Sequence, residues 1–375
     1  MANLEMPLIG ITTAGAVRPD LFDLGSTWNS TEAIREAGSR FLDALPPQDR
    51  ARAQFPMGAR EWRMWTNVHP NYFRHGVMLE ELPRSTRNLA LDLLKVTLSA
   101  SGYAEARNIM RINELIAELS GRPDEFGEWP YFVSIFGDPS SGGPWGWQID
   151  GHHLNINCAV FDGQIVMTPM FMGSEPCKIT EGPLAGTTMF APEEHGGLEL
   201  IRSLTPGQQA QAILRSSIHP DDLPVQLQNP FDGRMQAGAC RDNVIAPYQG
   251  IVGADLSDGQ RRLLRAVLAT YINRIGGGHA DARIVEVCSH LDETWFSWYG
   301  NIDETSPFYY RIHSPVVMIE FDHHPGVIFD NDIPTRNHIH TLIRTPNGGD
   351  YGADLLRQHY ERFDHSSGIH QPRQH

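Results

Sequence analysis

Strand-forming sequence in this chain comes in two blocks, residues 131–172 and 294–345, with helix-patterned sequence before them (31–121) and between them (205–275). Strict alternation of strands and helices would call for a parallel α/β sheet, whereas segregated blocks call for an α+β fold. The expectation is a mixed, mostly antiparallel sheet built from both strand blocks, with helices before and between. In the first block "YFVSIFG" is rich in β-branched and aromatic residues, and "HLNINCAVF-DG-QIVMTPMF" reads as two strands joined at Asp162-Gly163. An Asp-Gly pair supplies the positive φ angles that a tight hairpin needs. The second block contributes "WFSWYG", "FYYRIH", "VVMIEFD" and "NHIHTLIRT".

The helices are marked by period and by caps. Ile34, Phe41 and Leu42 are the apolar points of a helix between Thr31 and Gln54. "RSTRNLALDLLKVTLSA" predicts a helix that starts at Ser85 or Thr86 and is interrupted near Gly102. In "ARNIMRINELIAELSG", Ile109, Ile112, Leu115, Ile116 and Leu119 recur at three and four, and Gly121 closes the helix. Thr205 with Gln208, and Ser257 with Gln260, have the spacing of capping boxes, in which each side chain satisfies a backbone N–H of the first turn. Residues 173–197 read as a Gly/Pro-rich loop, with Glu193, Glu194 and His195 leading into a helix. An amphipathic helix over 351–363 ends the ordered chain. Residues 1–30 read as an irregular arm, 31–362 as a single composite domain and 364–375 as a flexible tail.

Hydrophobic residues make up 41% and charged residues 20% of the 375, an ordinary globular composition. No stretch reaches the ~18 apolar residues of a membrane span. "MANLEMPLIGITTAG" has no basic segment before its apolar run, so no secretory signal is expected. Net charge is −15, a field that repels a phosphate backbone, so nucleic acid is not an expected partner. Cys158, Cys177, Cys240 and Cys288 show no CxxC spacing and suggest reduced thiols in a cytoplasm. There is no G-x-G-x-x-G, Walker or G-x-S-x-G motif. A small-molecule substrate is the expected partner, and a homo-oligomer is left open.

Histidine carries the chemistry. Nine of 17 lie between His313 and His375. Taken as a strand, "DGHHLNIN" puts Asp150, His152, Leu154 and Ile156 on one face and His153, Asn155 and Asn157 on the other. A buried polar stripe needs a hydrogen-bond network or a metal. His338 and His340, two apart on a strand, point the same way and could meet one ion. Glu320 and Asp322 share a face at the end of "VVMIEFD". The metal set expected from these segments is His152 or His153, His338 and His340, with Glu320 or Asp322 completing it. The hairpin around Asp162-Gly163 should carry His153 inward. Donors of this kind suit iron, manganese, copper or zinc. Asp322 or Asp150 would serve as base. Arg311 and Arg344, on strands, are expected to hold a substrate carboxylate, the alternative being internal ion pairs to Glu320 or Asp322. Trp145 and Trp147 would wall the substrate pocket or pack the core, and Asn155 and Asn157 would offer polar contacts. His359 reads as a surface residue.

The segments "PWGWQIDGHHLNIN", "YYRIHSPVVMIEFD", "HIHT-x-x-RTP" and "DYGADLLRQHY" together resemble the bacterial and fungal domain-of-unknown-function family 3500, roughly from residue 60 to 362. The resemblance implies that His152, His153, Glu320, Asp322, His338 and His340 belong together, and implies no activity. "DHHPGV", with His323 and His324, departs from the family's "DNTQNG"-like pattern and suggests a subgroup with its own substrate. The mixed His/carboxylate set points first to oxidative chemistry on a small organic molecule. The alternatives are a metal-dependent hydrolase using bound water, and a non-catalytic binding protein.

Overall fold

The computed structural model describes residues 2–25, 27–68, 75–229, 232–326, 328, 331–364 and 371–372. Its main sheet has 13 strands among the described residues. From one edge the order is Gln54–Phe55, Phe132–Gly137, Trp145–Gly151, Leu154–Phe161, Met170–Ser174, Pro334–Arg344, Met318–Pro325, Phe308–His313, Trp295–Gly300 and Ile213–Arg215. Three short strands, Val77–Met78, Gln164–Val166 and Ile251–Val252, pair beside this path. Most pairings are antiparallel, and the two edge strands at 54–55 and 213–215 pair in parallel. The two sequence blocks therefore do build one sheet. They join where Met170–Ser174 runs antiparallel to Pro334–Arg344, with Gly173 opposite His340.

Alternation along the strands divides the core. Ile319, Phe321, Ile339, Ile343, Leu154 and Ile156 belong to the larger cluster. Helical side chains complete it, among them Met110 and Ile116 of Ala100–Ser120 and Leu264 and Leu268 of Asp258–Ile272. Met318, Leu342, Phe171, Ala159 and Phe161 point the other way, into a second cluster with Trp62, Trp65, Met235 and Tyr351 from irregular segments. Side chains on that second face are covered by irregular segments and by the final helix Ala353–Arg362, which contributes Leu355.

Both capping boxes form as expected, and Gly121 ends its helix at φ 66°. Several boundaries differ from the sequence expectation, each for a visible reason. Pro46-Pro47 splits the first helix into Glu32–Asp43 and Pro47–Ala53. The break expected near Gly102 falls at Leu98, and Gly102 lies inside Ala100–Ser120 because a Cβ there would come within 2.4 Å of the Arg274 carbonyl oxygen. The preceding helix starts at Arg84, with Pro83 rather than Ser85 or Thr86 at its cap. The expected 173–197 loop contains the end of a strand and the start of helix Ala191–Ser203, whose Gly197 admits the Tyr310 ring. Helix Gly278–Ser289 was not foreseen. His359 is 6% exposed, not a surface residue. The N-terminal arm is tied down: Ile11 accepts from the Asn347 N–H, and Thr12 bridges to Ile245. Most of the expected flexible tail lies outside the described residues; residues 371–372 pair with 363–364.

Candidate metal centre

"DGHHLNIN" is a hairpin, not one strand. Trp145–Gly151 and Leu154–Phe161 pair in register down to Gly151 opposite Leu154, so His152-His153 form a two-residue turn. His153 holds φ at 60°, a left-handed conformation in which histidine is enriched but still uncommon. A glycine would hold this backbone with less strain, so the imidazole and not the turn accounts for the residue. The turn is pinned on both sides: the His153 N–H donates to the Asn67 carbonyl at 3.1 Å, and its carbonyl accepts from Gly173 at 2.8 Å. The hairpin at Asp162-Gly163 also forms, with Phe161 opposite Gln164, but the preceding hairpin is the one that turns His153 inward, where it is 4% exposed.

His338 and His340 share a face of Pro334–Arg344, as the period of two requires. Their Nε2 atoms lie 3.0 Å apart, and each also faces the Nε2 of His153, at 3.2 and 3.3 Å. Among the described residues, these three form the one group of His, Cys, Asp or Glu side chains arranged to hold an ion. The His338 Nδ1 lies 2.7 Å from the Pro325 carbonyl oxygen, which can only accept, so Nδ1 carries the proton and Nε2 is a bare lone pair. His338 Nε2 then accepts at most, and the three contacts of the triangle cannot all be hydrogen bonds at once. A cation at the apex would resolve the conflict. Ligand bonds of ~2.1 Å predict N···N separations of about 3.0 Å for adjacent octahedral positions and about 3.4 Å for tetrahedral ones, and the observed edges span that interval.

Burial, and then the neighbouring imidazoles, push His153 and His340 well below the ordinary histidine range; burial takes His338 down to about 4. The neutral imidazole is the form that ligates metal. Glu175, 1% exposed, places a carboxylate oxygen 3.5 Å from His338 Nδ1, behind the ligand rather than in the triangle. Such outer partners orient the ring and raise its basicity. Gly173 forms the floor. A Cβ there would lie 3.0 Å from the Cδ2 atoms of both His153 and His340, with the Ile339 carbonyl at 3.1 Å. Gly173→Ala should therefore spread the triangle, weakening zinc affinity by about tenfold or more, the size of effect seen on disturbing a ligand's support. Isothermal titration would measure it, and an unchanged affinity would mean the rings have slack.

The other expected site residues are placed elsewhere. His152 stacks on His153 at 3.8 Å between centroids and puts Nδ1 2.7 Å from Asn113 Oδ1, outside the triangle. Asp322 lies opposite His340 across the strands, on the correct face, but both of its oxygens are taken by Arg234, at 2.6 and 2.7 Å. Glu320 accepts from the Gln236 and Ala237 N–H groups and from the Tyr309 hydroxyl. Neither carboxylate joins the three histidines. Asp150 accepts from the Thr66 N–H and from Asn155 Nδ2, and burial pushes its pKa up to about 8. Asn157 bonds Gln148 and the Pro169 carbonyl.

Arg311 donates to the Pro247 carbonyl and Gln249, and Arg344 to Asp350, Asp242 and the Ala237 carbonyl. Arg344 is fully buried and committed to internal partners, and the expected ion pair to Glu320 or Asp322 is replaced by these. Trp145 and Trp147 pack in the helix-side core, not on a pocket wall by the histidines. Gly173, Glu175 and Arg234 were missed in the sequence, as was the structural role of Asn113. Among the described residues, no helix is long and apolar enough to cross a membrane.

A family model described as a protein of unknown function (DUF3500) matches residues 27–353. No curated protein and no solved structure matches the chain.

Proposed function

This chain belongs to the DUF3500 family, which brings no activity with it, and we propose from the site alone that it is a metal-dependent enzyme acting on a small molecule through water activation. The observation that carries this is the triangle of three buried Nε2 atoms with edges of 3.0–3.3 Å. A divalent ion held there would act as a Lewis acid and lower the pKa of a coordinated water toward neutrality. The residues of the chain do the rest. His153, His338 and His340 would hold such an ion through three neutral donors, so no protein ligand would cancel its charge. The Pro325 carbonyl fixes the His338 tautomer. Phe171, fully buried and edge-on to His340 at 5.0 Å, puts an apolar ring against the site, a low-polarity surrounding in which electrostatic effects are stronger than in water.

The oxidative alternative leaned on a carboxylate in the ligand set. With Glu320 and Asp322 held by backbone N–H groups and by Arg234, that support falls away, and three imidazoles favour hydrolysis or hydration. Recognition of a substrate carboxylate by Arg311 or Arg344 loses its basis too. The test is p-nitrophenyl acetate hydrolysis by apo, zinc-loaded and cobalt-loaded protein, with oxygen uptake followed in parallel on the iron-loaded form. Hydrolysis that appears only with metal and vanishes in His340→Ala supports the proposal. Oxygen uptake without hydrolysis would return it to oxidation, and neither activity would leave a binding protein.

A further inference from the structure

His324 is the fourth imidazole at this site, and none of the steps above uses it. It is 9% exposed and packs against two of the three ligands, with ring centroids 4.5 Å from His340 and 4.8 Å from His338. Its Nδ1 lies 2.9 Å from the Pro325 carbonyl, the same oxygen that holds His338. Since that oxygen only accepts, His324 carries its proton on Nδ1 and presents a bare Nε2 lone pair. That Nε2 is buried and has no hydrogen-bond partner among the described residues. Gly233, at φ +61°, lies against the ring edge, where a Cβ would come within 2.9 Å of Cδ2. A buried acceptor left unmet costs on the order of 1–3 kcal/mol, so its persistence calls for a donor.

His324 is not a fourth ligand. It lies outside the set whose nitrogen atoms all fall within 4.8 Å of one another. The next shell suits it instead. A molecule coordinated at ~2.1 Å and donating a hydrogen bond of ~2.8 Å places its acceptor about 4–5 Å from the ion. We infer that His324 Nε2 accepts a hydrogen bond from the molecule bound opposite the three histidines, and so selects for ligands that present an O–H or N–H beside their metal-binding atom. The inference rests on the metal reading of His153, His338 and His340, and it names the substrate class: protic molecules are favoured over aprotic anions. His324 is thus a specificity-determining residue of this site.

The experiment uses the cobalt-loaded full chain and two probes. Acetohydroxamate carries an N–H donor beside its metal-binding oxygens; azide carries none. His324→Phe keeps a stacking ring and removes the acceptor, and His324→Gln keeps an acceptor. His324→Phe should hold cobalt with an affinity within about twofold of the parent, lose about tenfold in acetohydroxamate affinity, as for one buried hydrogen bond, and bind azide at least as well. His324→Gln should recover part of the acetohydroxamate affinity. Equal losses for both probes, no loss for either, or loss of cobalt from His324→Phe would overturn the inference. Failure of the parent itself to bind cobalt would instead overturn the metal centre on which it rests.

Discussion

His340→Ala should lose stoichiometric metal binding while keeping its fold, and His338→Ala should do the same. Structural zinc sites with four ligands bind with about 10–16 kcal/mol, or roughly 3 kcal/mol per ligand, so removing one of three should cost on the order of a hundredfold or more in affinity. The fold should survive because the strand hydrogen bonds of residue 340 are backbone bonds to the strands on either side, Met170–Ser174 and Met318–Pro325. Without metal the variant also loses a crowded contact between lone pairs. Added zinc should raise the melting temperature of the parent chain, since a ligand that binds only the folded state stabilises it, and should leave His340→Ala unmoved. A variant that still takes up one equivalent at parent affinity would show that His340 is not a ligand. A variant that unfolds would assign the cluster a packing role.

Arg344→Ala should be the most destabilising of these substitutions. The side chain is 0% exposed and holds Asp350 at 2.8 Å and Asp242 at 2.6 Å, while Asp242 also pairs with Arg63. Removing one partner of a buried ion pair typically costs about 3–5 kcal/mol, because the remaining charge has no water to return to. Here Asp350 would lose its one cationic partner and keep only the Thr345 N–H, while Asp242 would keep Arg63, and burial already raises the Asp350 pKa. Arg344→Lys keeps the charge but cannot fork between two acids, and should cost about 1–3 kcal/mol, the range for buried groups left partly unsatisfied. Urea denaturation midpoints at constant slope would measure both. A stable Arg344→Ala chain with specifically weakened ligand binding would reinstate the substrate-clamp role expected from sequence.

What could be read from the sequence was whatever a local period determines. Two residues apart on a strand means one face, and His338 and His340 meet because of it. The same rule put Glu320 and Asp322 on the site face, and Asp322 does sit opposite His340. It could not foresee that Arg234, 88 residues away, claims Asp322, or that the backbone at Gln236 and Ala237 claims Glu320. Those partnerships depend on which loop is laid over the sheet, and no periodicity encodes that. His153 reached the interior by a route the pattern hid. A tight reversal is usually announced by Gly, Asn or Asp, and His-His announces nothing, so the turn was read as strand. The helix expected after Glu193–His195 starts earlier, at Ala191, and runs through Gly196-Gly197, whose loop-like composition hides it; Gly197 is there because Tyr310 packs where its Cβ would stand. Broad architecture was legible because the two strand blocks are rich in β-branched and aromatic residues, and antiparallel pairing within each block needs only short connections.

The most direct measurement is the metal content of the purified chain after loading with zinc and desalting, combined with an anomalous difference map from its crystals. The account predicts one ion per chain, about 2.1 Å from the Nε2 atoms of His153, His338 and His340, with no carboxylate from Glu320 or Asp322 among its ligands. A chain that retains no ion, or one whose anomalous peak lies away from these three histidines, would contradict it.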